Sequence, residues 1–419
     1  MSGGNVGAGG GISRRGFLGG TLGAALPLAA IAAPEAETNA PPAKPPEHDR
    51  KVRIGLVGCG GRGKWIAQMM QDHGGFVIHA VADYFEDVAR NTGGKLRVDP
   101  SRCFGGLSGY KRLIESGVEA VAIEDVPYFY PEQATAAADA GLHIYMAKPV
   151  AVDVPGCMAI GEAGRVCAAK KRCLEVDYQL PTDPVMIELA ARVRDGGLGA
   201  LTHVLSFGFG WHAWPDPPVG PTIESRLRDQ IWLSDTALSG DTIVSYDIHI
   251  LDALVWLLGE RPVRACGHSR TWRTEPHGDR TDTLSAIYEF AGGACWTHVT
   301  QALDNHWDDL VTLSAKVFGT VATVSLQYKA GKAYLRGGPK NYAGEIGSVF
   351  KDGVARNIAG FHRRICEGPY DTVSAQRAVD GTLTAILGRE AAARRGCLTM
   401  DELIKENRAI EANLKGLKS

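Results

Sequence analysis

The sequence is poor in the features that staple or decorate a fold. Its nine cysteines are an odd number, none stands in a Cys-x-x-Cys pair, and none clusters with histidine. That pattern argues against a zinc-dependent alcohol dehydrogenase and predicts no disulfide framework. Cys103, Cys157, Cys167 and Cys173 read instead as scattered small apolar residues. His, Asp and Glu occur at no spacing that requires a metal, so no metal centre is expected. Net charge is nearly absent, 45 Lys and Arg against 47 Asp and Glu leaving −2. Without a long basic run there is no reason to expect nucleic acid or an anionic membrane as partner. Beyond residue 33, no apolar run approaches the length of a membrane-spanning helix.

What is present is an ordinary globular composition, 45% hydrophobic and 22% charged over 419 residues. That length predicts two or three domains that bury their cores without staples. Residues 1–50 stand apart. Arg14 and Arg15 are the only charges before Glu35, and an Ala-, Gly- and Leu-rich run follows over 17–33. Basic residues, a short apolar run and small residues at Ala30-Ile31-Ala32 make residues 1–33 read as a signal peptide. Ser13-Arg14-Arg15-Gly16-Phe17-Leu18 resembles the twin-arginine export signal. The apolar run is short for a membrane anchor and contains Pro27. Residues 34–50, Pro-rich over 40–46, read as a linker. The expectation is a periplasmic protein, exported folded and hence with any cofactor held tightly.

The first domain is expected over 51–172. Val52-Arg53-Ile54-Gly55-Leu56-Val57 reads as a buried parallel strand. Gly58-Cys59-Gly60-Gly61-Arg62-Gly63 follows and matches G-x-G-x-x-G, and Trp65, Ile66, Met69 and Met70 recur at helical spacing. Gly58 permits the tight turn, Gly60 lets backbone approach a diphosphate, and Gly63 lets helix and strand pack closely. Gly61 and Arg62 sit at the helix N-terminus, whose free N–H groups suit phosphate. A second apolar run, 76–82, ends in Asp83, twenty residues beyond Gly63, where an acid meets the adenosine ribose. Asp83 favours NAD, while Arg62 leaves NADP open. Alternation of strands and helices predicts a parallel sheet with right-handed crossovers.

Further on, Ala147-Lys148-Pro149-Val150 closes a strand over 143–147, and Ser239-Gly240-Asp241 precedes Asp247-Ile248-His249-Ile250-Leu251-Asp252. These segments, with Thr384-Ala385-Ile386-Leu387-Gly388-Arg389-Glu390-Ala391, resemble the Gfo/Idh/MocA oxidoreductase family, named for glucose–fructose oxidoreductase and inositol dehydrogenase. The resemblance runs from about Lys51 to the C-terminus. It implies Lys148 at the nicotinamide cleft, contributing to both cofactor site and catalysis, and His249 as catalytic histidine. Ala147 stands where the family has Glu, and Ser245 where it often has Asp. Asp247 is a candidate for the missing acid, but a two-residue offset points to another face of a helix. Oxidising a hydroxyl requires hydride loss from carbon and proton loss from oxygen. A lysine can hold that oxygen, and an imidazole titrating near neutrality can take the proton.

Residues 173–419 read as a second α/β domain. Runs at 201–209, 283–290, 295–301 and 310–326 alternate in part, as an antiparallel sheet with one covered face does. The resemblance implies a large, mostly antiparallel open sheet, often an oligomer face, so a homo-oligomer is expected. The late helix, 374–395, is placed to pack back on the first domain. Trp211, His212 and Trp214 lie in a Pro-containing loop that either stacks on a sugar ring or pins itself to the core. Tyr246 either donates a proton or stacks on sugar. The fold class is therefore α/β, a Rossmann domain followed by a sheet-rich domain. The leading function is NAD(P)-dependent oxidation or reduction of a sugar, cyclitol or related polyol. A glycosidase or lyase that oxidises a ring carbon transiently, and a cofactor-binding protein without catalysis, are the alternatives.

Overall fold

The computed structural model describes residues 48–210, 223–228, 231–273, 278–303 and 312–419. Trp211, His212 and Trp214, the signal segment and nearly all of the linker lie outside them. The described residues fall in one unit, Pro45–Ser419. No helix among them is long and apolar enough to cross a membrane.

Six strands form the first sheet: β1 (Val52–Val57), β2 (Phe76–Ala82), β3 (Cys103–Phe104), β4 (Ala120–Ile123), β5 (His143–Met146) and β6 (Leu174–Val176). Their order is β3-β2-β1-β4-β5-β6, and each described pairing is parallel. β4 and β5 are buried along their whole length, as a sheet covered on both faces requires. The order reverses between β1 and β4, so a crevice opens there outside the carboxyl ends of the strands. β6 lies beyond residue 172, the expected end of the first domain. It is only three residues long, too short for its apolar pattern to stand out in the sequence.

The second sheet holds β7 (Leu201–Phe209), β8 (Arg264–Arg270), β9 (Thr283–Glu289), β10 (Cys295–Gln301), β11 (Leu313–Gly319), β12 (Thr323–Gln327), β13 (Gly331–Arg336), β14 (Tyr342–Ile346) and β15 (Cys397–Thr399). The order is β14-β13-β12-β11-β7-β10-β9-β8-β15, antiparallel except for the β7–β10 pair. In β9 and β10 every second residue is buried; helix Ile248–Leu258 packs on β7 and β11, and helix Val373–Arg394 on β8 and β9. The latter, the late helix, also touches the first domain. Its Ala375 packs so closely on Gly164 that a Cβ there would stand 2.6 Å away, and Ser374 Oγ accepts from the Val176 N–H at 3.0 Å.

One expectation needs correction. Cys266 and Cys397 form a disulfide, as directly opposed partners of β8 and β15. They stand 131 residues apart, a pairing that no local spacing reveals. The other seven cysteines are free. His48, before β1, converges with His73 and His362 from two helices, with ring nitrogens within 4.8 Å of one another. The rings of His48 and His73 stack at 4.4 Å. Gly75 makes room for the group, since a Cβ there would lie 2.5 Å from His362. Such a cluster of potential metal donors is invisible to sequence spacing.

Candidate active site

The glycine turn links β1 to helix Gly61–His73. Gly58 has φ +89°, and a Cβ on it would lie 2.5 Å from the Asp125 backbone nitrogen. A Cβ on Gly63 would collide with the Gly58 carbonyl oxygen. Both positions therefore require glycine to bring helix and strand together. Gly60 and Gly61 differ: a Cβ there would meet nothing within 4 Å. No side chain caps this helix, and no acid stands in its first turn. Open space beside uncapped N–H groups is the environment a diphosphate needs. Asp83 ends β2 and ties the turn down, accepting from Cys59 N at 2.8 Å and Phe85 N at 2.9 Å. Burial raises its pKa, opposed by those same bonds.

Arg62 turns away from the open space. Its guanidinium pairs with Glu124, at 3.2 Å, and closely with Asp177. These carboxylates follow β4 and β6, so the parallel sheet delivers both to the same edge as the glycine turn. Burial disfavours the guanidinium's charge, but Asp177 and then Glu124 outweigh it and raise the Arg62 pKa. Burial pushes the Glu124 carboxyl upward, with Arg62 opposing. Asn357 fixes Asp177 from the far side, donating at 2.7 Å. Glu124, Asp177 and Asn357 were not singled out in the sequence. The available signal was a charged pair, Glu124-Asp125, directly after an apolar strand, where sites in parallel sheets gather.

Lys148 follows β5 at the same edge. Its Nζ donates to the Ser245 carbonyl oxygen at 2.7 Å. Burial, then Arg62, lowers its pKa to about 7, against the pull of Asp177, Glu124 and Asp247. His249 lies in the first turn of helix Ile248–Leu258, buried, with its ring 4.5 Å from that of Tyr328. Its Nδ1 is buried without a hydrogen-bond partner. Burial, then Lys148 and Arg62, pushes its pKa well below 6.5, so the imidazole is neutral at neutral pH. Lys148 and His249 thus share one electrostatic neighbourhood. Ala147 is buried in the core.

Asp247 takes another direction. It is fully buried, and its Oδ2 accepts from His298 Nε2 at 2.9 Å and from Thr300. A chain of donors continues behind it. Trp296 Nε1 donates to Ser206 Oγ at 2.6 Å, and Ser206 Oγ contacts His298 Nδ1 at 2.7 Å. Indole can only donate and carboxylate only accept, which orients every proton in the chain. Gly208 on β7 has no side chain, and a Cβ there would overlap the Asp247 carboxylate. Asp247 therefore locks the start of the His249 helix to the sheet. His298 was missed because its role appears only once β10 is paired. Tyr246 packs its ring on Gly210, 3.3 Å from a Cβ built there.

Residues 186–325 match the GFO/IDH/MocA C-terminal domain. The inositol 2-dehydrogenase of Acidothermus cellulolyticus is 27% identical over 259 residues, 58% of this chain and 64% of that protein. The chain thus spans less than two thirds of that relative's length. An inositol dehydrogenase homologue from Azotobacter vinelandii, solved with NAD+, superposes with a TM-score of 0.67 at 20% identity, over 84% of this chain and 98% of that one. An aldose–aldose oxidoreductase from Caulobacter crescentus, solved with glycerol, gives 0.65 at 19% identity, over 84% and 100%. The chain shares the fold of these solved structures, and its residues 186–325 match the GFO/IDH/MocA C-terminal domain.

Proposed function

We propose that the protein is an NAD-dependent oxidoreductase acting on a hydroxyl or keto group of a sugar or cyclitol. The observation that carries this is the meeting of Lys148 and His249 beside a glycine turn with open, uncapped N–H groups. The named relatives, an inositol 2-dehydrogenase and a homologue solved with NAD+, support both substrate class and cofactor. The turn would hold the diphosphate, Asp83 the adenosine ribose and Lys148 the nicotinamide end. NAD bound there supplies the hydride acceptor.

The chain's own residues do the rest. Lys148, protonated, exchanges the Ser245 carbonyl for the substrate oxygen and orients it. His249 is neutral and takes the hydroxyl proton on its unpartnered Nδ1. Asp247 is a positioning residue, because its Oδ2 is held by His298 and Thr300. Arg62, locked to Glu124 and Asp177, shapes the floor between turn and lysine. Trp211, His212, Trp214 and Tyr246 remain proposed substrate contacts, and the open second sheet a proposed homo-oligomer face.

We further propose export by the twin-arginine route with NAD already in place. The Cys266–Cys397 bond supports an oxidising destination. Mass spectrometry of the ligand released on denaturing the purified protein tests the reading: NAD is expected, and its absence, with no uptake on titration, overturns it. Incubation with polyols and glycosides then separates net oxidation, which accumulates NADH, from cleavage without net cofactor change.

A further inference from the structure

A cavity of about 270 Å³ opens outside the ends of β1, β2 and β4, near the lower end of small-molecule sites. Asp83, Asp125 and Gln133 line one side, and Val126, Phe129, Leu414 and Leu417 the other. Gln133 Nε2 donates to Asp125 at 2.6 Å. Polar groups facing an apolar wall suit an aromatic base joined to a hydroxylated sugar. Asp83 and the adjoining glycine turn mark this as the adenosine half of the dinucleotide crevice.

Two of the wall residues come from the far end of the chain. After the last helix, Met400–Glu406, residues 407–419 run along the first domain. Their burial alternates: Ile410, Ala412 and Leu414 are half-buried, while Glu411, Asn413 and Lys415 are exposed. Ile410 N donates to Asp153 at 2.8 Å, and Ala412 N to the Tyr128 hydroxyl at 3.4 Å. A turn through Gly416, φ +87°, brings Leu417 back to the cavity. Lys418 then closes the segment from both sides. Its N–H donates to the Tyr84 hydroxyl at 3.2 Å, and its carbonyl accepts from Leu107 N at 3.0 Å. Ala412 and Leu417 also pack against the buried cluster of Val126, Leu227 and Leu238. The partners Tyr84 and Leu107 flank Asp83 and its cavity.

We propose that residues 410–419 form the outer wall of the adenosine subsite and set how long NAD stays bound. This rests on the NAD reading above. Release of the adenosine requires the strap to lift, which breaks its backbone bonds and exposes two leucines. Its role is therefore in dissociation rather than in chemistry.

The test compares the parent with Leu414→Ser/Leu417→Ser, which keeps every backbone bond of the strap, and with a chain ended after Ala409. A Glu411→Ala/Lys415→Ala variant, altered only on the outward face, is the control. NAD remaining on each protein is followed by mass spectrometry after rapid dilution, alongside NAD titration and the melting temperature of the NAD-free form. The expected result is a rise of roughly ten-fold or more in dissociation rate for both strap variants, with none for the control. Rates within about two-fold of the parent in folded variants overturn the strap while leaving NAD binding intact. A parent that takes up no NAD overturns the cofactor reading and the strap together. The serine pair changes no backbone bond, so it reports even where the shortened chain fails to fold.

Discussion

Lys148 reaches a carbonyl 97 residues further along the chain, that of Ser245, at 2.7 Å. The contact joins the end of the parallel sheet to the turn before the His249 helix. It occupies the lysine with a neutral acceptor at Ser245, one of the two positions where the sequence lacks an acid of the Gfo/Idh/MocA pattern. Among the described residues no carboxylate hydrogen-bonds to the ammonium, and its pKa falls to about 7 as burial dominates.

The pH dependence of oxidation follows. His249 must be neutral, and its pKa lies well below 6.5, so the acidic limb of kcat/KM falls well below that value. Lys148 must be protonated, so activity declines as pH rises through about 7. Lys148→Arg should move that alkaline limb upward, and Lys148→Met should cut kcat/KM by roughly 10²–10⁴. A profile flat from pH 6 to 9 rules out the assigned roles.

The same lysine costs stability. Its folded pKa lies below the unfolded value of 10.5, so the unfolded chain binds the extra proton. The penalty is complete below about pH 7 and fades as pH rises towards 10.5. Lys148→Met should therefore stabilise the protein by up to about 4 kcal/mol at pH 7 and below, and by little near pH 11. Denaturant unfolding at both pH values measures it. An inactive variant that is also less stable at pH 6 contradicts the burial argument.

Glycines in the turn should separate by role. Gly63→Ala drives a methyl into the Gly58 carbonyl, and a loss of about 2–4 kcal/mol is expected even without NAD. Gly60→Asp points into open space, so its melting temperature should match the parent while NAD affinity falls by roughly a hundred-fold or more, from charge repulsion at the diphosphate. Equal NAD affinity in Gly60→Asp would falsify the placement.

Removing the disulfide tests both fold and destination. Cys266→Ser should lower stability by about 2–5 kcal/mol. Alkylating the denatured, unreduced protein from its exported form should label the seven free cysteines and spare the other two. Full labelling of all nine argues against an oxidising destination.

His298→Ala leaves the Asp247 carboxylate buried with its main donor gone. A loss of roughly 3–5 kcal/mol is expected, with His298→Gln recovering part of it. The accompanying change should fall on kcat through the His249 helix more than on NAD affinity, as steady-state kinetics and titration will show.

Local signals carried the first domain. Strand, glycine turn, helix and Asp83 lie within about thirty residues, and each announces itself by hydrophobic run or turn chemistry. Lys148 and His249 were readable because motif context marks them. Glu124, Asp177, Asn357 and His298 were not, since what they do depends on which strands neighbour one another. Arg62 was read as a phosphate contact because nothing local shows the two acids that claim it. The disulfide and the histidine trio share that limit: both join residues that only tertiary structure brings close.

Gly208 looks like an idle position near the end of a strand, yet the Asp247 carboxylate fills the space its side chain would take. Sheet and helix therefore fit like a key with one tooth. Any residue larger than hydrogen at 208 expels the acid, unlocks the His249 helix and unsettles the cleft without touching cofactor or substrate. Tolerance to change in this protein is set there, behind the chemistry, by the absence of a single methyl group.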